Sequence, residues 1–148
     1  MNIFYLHKDP ETCAQMHCDQ HCVKMILEYA QMLSTAHRVY GSEDERLYKV
    51  AHLNHPSTVW VRSHLNNYLF TRNLFLYLSV EYTNRYGKIH KTQSRLEDVL
   101  FEPPEDIPSG SLLMAELKKN KTLTERKNHD YQVNEEAEND WEKQEDHE

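Results

Sequence analysis

Residues Cys13 to Arg38 read CAQMHCDQHCVKMILEYAQMLSTAHR, and the periodicity of this stretch decides the fold. His17 and His21 are four residues apart, Lys24 follows His21 by three, and Glu28 follows Lys24 by four. Side chains three or four apart share a helix face, so His17, His21, Lys24 and Glu28 form one polar stripe. Val23, Met25, Ile26, Tyr29, Ala30, Met32 and Leu33 supply broad apolar faces around it. The spacing predicts a long, mostly buried helix that carries a titratable stripe, and such a combination is where chemistry is to be sought.

Working outward, the 148 residues are enough for one domain with a real core. Hydrophobic residues make up 39% of the chain and there are only 3 glycines, which favours an all-α fold over a barrel or sandwich with many tight turns. The net charge of −7 is unevenly spread. Residues 1–100 carry 11 Lys/Arg against 10 Asp/Glu and 8 of the 10 histidines, while 101–148 carry 6 against 14. The acidity therefore belongs to the C-terminal part, and the near-neutral body neither requires nor forbids a nucleic-acid face. Cys13, Cys18 and Cys22 all fall on the first helix and are odd in number, which points to reduced thiols. With no signal-like segment and no apolar run long enough to span a bilayer, the expectation is a cytoplasmic protein without a membrane partner.

Met1–Leu6 (MNIFYL) reads as a strand or an extended arm over the core. Asp9 and Pro10 are start signals for a helix over 11–39, with Gly41 as its stop. Leu47–Leu53 is ambiguous between strand and helical turn, and Pro56 breaks regular structure in the HLNHP segment that follows. Ser57 is the expected cap of a second long helix over 57–86, ended by Gly87 and rich in aromatics that are core by default. A third helical segment is expected around Ser94–Phe101. Together, residues 1–101 make a compact helical domain, and 102–148 make a proline-rich connection with a weakly ordered, acidic helical tail. Within that tail Leu112–Lys121 and Thr124–Trp141 are helix-prone, and roughly the last 25 residues are expected to be frayed or docked only through Tyr131, Val133 and Trp141.

Three groups of residues bear chemistry. His17 and His21 have the spacing with which a helix presents two imidazoles to zinc or iron. His37, His52, His55, His64 or Cys13 would then complete the set; otherwise the pair is an interhelix hydrogen-bonding element. Lys24, flanked by apolar residues, is either a partly desolvated nucleophilic amine served by Glu28 or an ordinary helical ion pair with it. His52, His55, Ser57, Thr58, Arg62 and His64 gather near a helix start, which suits either an anion or phosphate seat or a capped structural loop. Trp60 or Tyr29 is placed to stack on a base.

The segments MNIFYL, MHCDQHCVKMILEYAQMLSTAHR, HLNHPSTVWVR and VEYTNRYGKIHKT resemble a family of small proteins encoded by tailed bacteriophages. That likeness covers roughly residues 1–95 and implies residence in the cytoplasm of the infected host, but no particular activity. More remotely, the order of parts is similar to the phage pyrimidine-dimer DNA glycosylases. Gln15 and His17, then the long aromatic helix ending at Arg85 and Gly87, then Tyr131 and Trp141 carry this pattern. The departures are as informative. The catalytic glutamate of those enzymes falls on Lys24, Asn2 is too large for usual removal of Met1, and a basic C-terminus is replaced by an acidic one.

Three functions are thus in competition. The first is an enzyme acting on DNA bases or nucleotides, glycosylase- or lyase-like, with the Lys24 amine and His17, His21 and Glu28 as proton carriers. The second is a metal-dependent hydrolase built on His17 and His21. The third is a non-catalytic phage protein that binds a host or phage partner through its acidic tail.

Overall fold

The computed structural model describes residues 2–109, which form five α-helices and no strand. They are α1 (Pro10–Gln15), α2 (Asp19–Val39), α3 (Pro56–Ser63), α4 (Leu65–Tyr86) and α5 (Lys91–Phe101). The fold is mainly α, with α2 at its centre: α3, α4 and α5 all pack on it, and α4 also covers α1. Every residue of α2 from Met25 to Ala36 is buried. Ile26, Tyr29, Leu33, Leu74, Phe75, Leu78 and Leu96 meet in one core. The expectations for residues 110–148, including docking through Tyr131, Val133 and Trp141, lie outside the described residues.

Each of the two long helices expected from the sequence is interrupted. The first breaks at residues 16–18, and the agent is His17. In an unbroken helix the Cys13 carbonyl would accept from the amide of His17; here the His17 ring, through Nδ1, takes that carbonyl at 2.8 Å. The His17 amide is displaced onto Ala14, Cys18 becomes extended, and a new helix starts at Asp19. Arg85 of α4 clamps the break by donating to the Asp19 carboxylate at 3.0 Å and to the Gln15 carbonyl at 3.2 Å.

The second break is at His64, whose backbone is extended and whose ring nitrogen accepts from the Asn66 amide at 2.9 Å to cap α4. The same device recurs. His55, rather than the expected Ser57, caps α3 by accepting from the Ser57 amide, and His90 caps α5 by accepting from the Thr92 amide. His7 makes the same short turn with the Asp9 amide just before α1. Much of the histidine content is therefore spent on starting helices, a role in which Ser, Asp or Asn is the ordinary choice.

Asn2–Leu6 is an arm and not a strand: it joins no ladder, and the Tyr5 and Leu6 amides bond back to the Ile3 and Phe4 carbonyls at 3.1 and 3.0 Å. Its anchors are side chains. The Phe4 amide donates to the Tyr29 hydroxyl at 3.2 Å, and the Cys13 thiol donates to the Phe4 carbonyl at 3.1 Å. Leu47–Leu53 also forms no strand, because α2 side chains satisfy its backbone instead. Arg38 donates to the carbonyls of Asp44, Leu47 and Tyr48, and the Thr35 hydroxyl bonds both the amide and the carbonyl of Ala51.

The compact body extends past residue 101. Ile107 is part of the core, and the Pro108 carbonyl accepts from the Leu65 amide at 2.6 Å, so the start of the proline-rich connection is docked. Among the aromatics of the second long segment, Tyr68, Phe75 and Tyr82 are core, whereas Trp60, Tyr77 and Tyr86 are exposed. No helix among the described residues is long and apolar enough to cross a membrane.

Candidate functional site

A cleft of about 240 Å³ opens between the N-terminal arm and the first half of α2. Asn2 and Phe4 form the arm wall; Gln20, His21, Lys24, Met25 and Glu28 form the helix wall. Three of the four stripe residues therefore come together as the spacing implied, on successive turns of one helix. Lys24 is half-buried and Glu28 is buried, at 6% exposure. His21 lies flat on the Phe4 ring, with centroids 4.2 Å apart and planes 12° from parallel. The cleft is thus a polar trough with an amine, a carboxylate and an imidazole, walled on one side by an aromatic ring.

His17 is not part of it. Its ring is buried, with Nδ1 donating to the Cys13 carbonyl and Nε2 accepting from the Tyr29 hydroxyl at 2.7 Å. Both ring nitrogens are occupied and the tautomer is fixed by its partners. Burial pushes the pKa of His17 below the usual imidazole value, in keeping with a ring held neutral. Phe4 stands edge-on to His17 at 6.0 Å while stacking on His21, so the arm is wedged between the two histidines. The pair is not a two-imidazole chelate. Among the described residues no group of three or more His, Cys, Asp or Glu side chains is placed to hold a metal ion.

Nor does the pair meet His52, His55 or His64, residues expected to complete a metal set: both rings are turned to Phe4 of the arm. His52 and His55 pair with each other instead, centroids 6.5 Å apart, and His52 adopts a positive φ of 49°. The phosphate seat dissolves in the same way. The ring nitrogens of His55 and His64 accept backbone amides as caps, and Thr58 is buried. Arg62, only 2% exposed, donates Nη1 to the Leu53 carbonyl at 2.7 Å. Burial without a carboxylate partner lowers its pKa to about 10. Tyr29, entertained as a stacking ring, is buried under the arm with its hydroxyl engaged on both sides.

Ser57 and Trp60 remain at the surface in a second, larger cleft of about 360 Å³ with Ile3, Tyr5 and Pro56. The larger cleft is the apolar one, so size does not locate the titratable groups. Sequence reasoning missed the role of the arm, although the alternation of MNIFYL gives the signal. In an extended segment, Asn2 and Phe4 face one side and Ile3 and Tyr5 the other.

No family model matches the chain, and no curated protein or solved structure is significantly similar to it.

Proposed function

We propose that the chain is a small phage-encoded enzyme acting on DNA bases or nucleotides through the amine of Lys24. The observation that carries this is the gathering of Lys24, buried Glu28 and His21 in one trough. An amine beside a buried carboxylate and an imidazole has what imine chemistry needs, a nucleophile and groups to carry its protons. In the glycosylase form of the reaction, Lys24 Nζ bonds to the sugar C1′ while the bond from C1′ to the base breaks. The base leaves with a proton from Glu28 or His21, and opening of the sugar ring gives an imine. At an abasic aldehyde the same amine adds to the carbonyl and expels water to reach that imine.

Borohydride reduces an imine to a stable amine, so incubation with abasic DNA and borohydride is expected to leave a covalent protein–DNA adduct. Lys24→Arg keeps the charge and cannot form the imine. It should abolish the adduct with the fold intact by circular dichroism. A wild-type protein that traps nothing, or an Arg variant that traps as well, rejects the proposal. Stoichiometric metal in the purified protein would instead favour a metal-dependent hydrolase with its site away from the His17/His21 pair. Loss of a partner on deletion of 122–148 would favour the tail-mediated role.

A further inference from the structure

The arm divides two clefts by its own alternation. Asn2 and Phe4 line the amine trough, whereas Ile3 and Tyr5 line the apolar cleft against Pro56, Ser57 and Trp60. Alternate residues of the arm thus face different clefts, which lie on either side of one thickness of backbone. That wall is fixed, because Phe4 is tied to both Tyr29 and Cys13.

The apolar cleft is bordered by aromatic rings kept out of the core. Tyr5 is 59% and Trp60 37% exposed, and both rest on Phe70, at 5.1 Å and 6.3 Å between centroids. Trp60 is held in place by its backbone carbonyl, which accepts from the Ser63 hydroxyl at 2.8 Å and from the Asn67 side-chain amide at 2.9 Å. An exposed cluster of large rings around an open cleft marks a binding surface. None of the lining residues is charged, and the amides of Ser57 and Val59 at the start of α3 are already taken by His55. The cleft therefore suits neither an anion nor a metal ion. It suits a flat, neutral ring, with the Ser57 side chain among the lining residues as a polar group for its edge.

We infer that this cleft binds a nucleobase by stacking, the base of a nucleotide next to the one presented to Lys24. The position relative to the trough rests on the proposed function; the choice of a flat neutral ring rests on the cleft itself. With about 360 Å³ of room the cleft is in the range of small-ligand sites.

The chain has two tryptophans, so Trp141→Phe leaves Trp60 as the single reporter. Titration of that protein with thymidine and with a short oligothymidylate is expected to give a saturable change in Trp60 emission. Tyr5→Leu keeps apolar bulk but removes the ring, and should weaken binding about fivefold or more, as loss of a base-stacking ring does. Tyr5→Phe should bind as the parent does, which separates loss of stacking from damage to the arm. No saturable change, equal binding by Tyr5→Leu, or displacement of the signal by tetramethylammonium would overturn the inference, the last by revealing a cation cage. Borohydride trapping on the same protein keeps the two proposals apart. Trapping without a nucleoside response overturns the stacking cleft alone, and a response without trapping upholds a ring-binding cleft while removing the Lys24 chemistry.

Discussion

The Tyr29 hydroxyl stands 2.7 Å from Nε2 of His17, to which it donates, and the same oxygen accepts the Phe4 amide at 3.2 Å. One oxygen thus joins the break between α1 and α2 to the arm that walls both clefts. Tyr29→Phe removes it and leaves a buried imidazole nitrogen and a backbone amide without that partner. A loss of about 1–3 kcal/mol in denaturant unfolding is expected. Cleavage within residues 2–7 by a nonspecific protease should speed up more than global unfolding accounts for. Unchanged stability and protection would mean that the arm is held by its apolar contacts and the Cys13 thiol without the tyrosine.

Acid should destabilise the body through His37. Its Nε2 donates to the Tyr68 hydroxyl, which donates in turn to the Leu100 carbonyl, each at 2.7 Å. Burial lowers its pKa to about 4 from the ordinary 6.5. A folded-state value below the unfolded one means that the unfolded chain binds the proton first. The contribution is therefore complete above about pH 6.5 and is lost as pH falls toward 4, on the order of 3 kcal/mol in all. His17, shifted in the same direction, adds to the slope. Unfolding free energies measured between pH 7 and pH 4 should fall, and His37→Gln should flatten that fall; an unaltered slope places the titration elsewhere.

Glu28→Gln tests the proton-carrying role apart from the nucleophile. The amide is nearly isosteric with the carboxylate but exchanges no proton at neutral pH. Initial rates of adduct formation should drop about 100-fold with Lys24 still present, the usual scale for removing a general acid–base group. An unchanged rate would leave His21 as the proton carrier.

Gly87 ends α4 with φ at 70°, and a Cβ added there would meet nothing within 4 Å. Gly87→Ala should therefore cost about 1 kcal/mol from backbone strain alone. A loss of several kcal/mol would reveal a packing role that the open space does not support.

The sequence determined what depends on short-range periodicity and backbone chemistry. The apolar faces of α2, the start of α1 at Asp9 and Pro10, the end of α4 at Gly87 and the meeting of His21, Lys24 and Glu28 on one face all follow from spacing along the chain. The tertiary structure decided the rest, because it turned on where side chains find partners distant in sequence. His17 breaks the first helix because its ring is buried between Cys13 and Tyr29, and no periodicity reports that. Arg62, placed near a helix start in the sequence, is drawn inward because the Leu53 carbonyl needs a donor there. Of the histidines that suggested metal or acid–base chemistry, His55 and His64 cap helices instead, since a ring nitrogen two residues ahead of an amide can accept it once packing holds the ring. The arm, a short apolar-rich segment with no helical period, became the wall between two clefts only when α2 and α3 gave Asn2 and Phe4 on one side, and Ile3 and Tyr5 on the other, different surfaces to lie against.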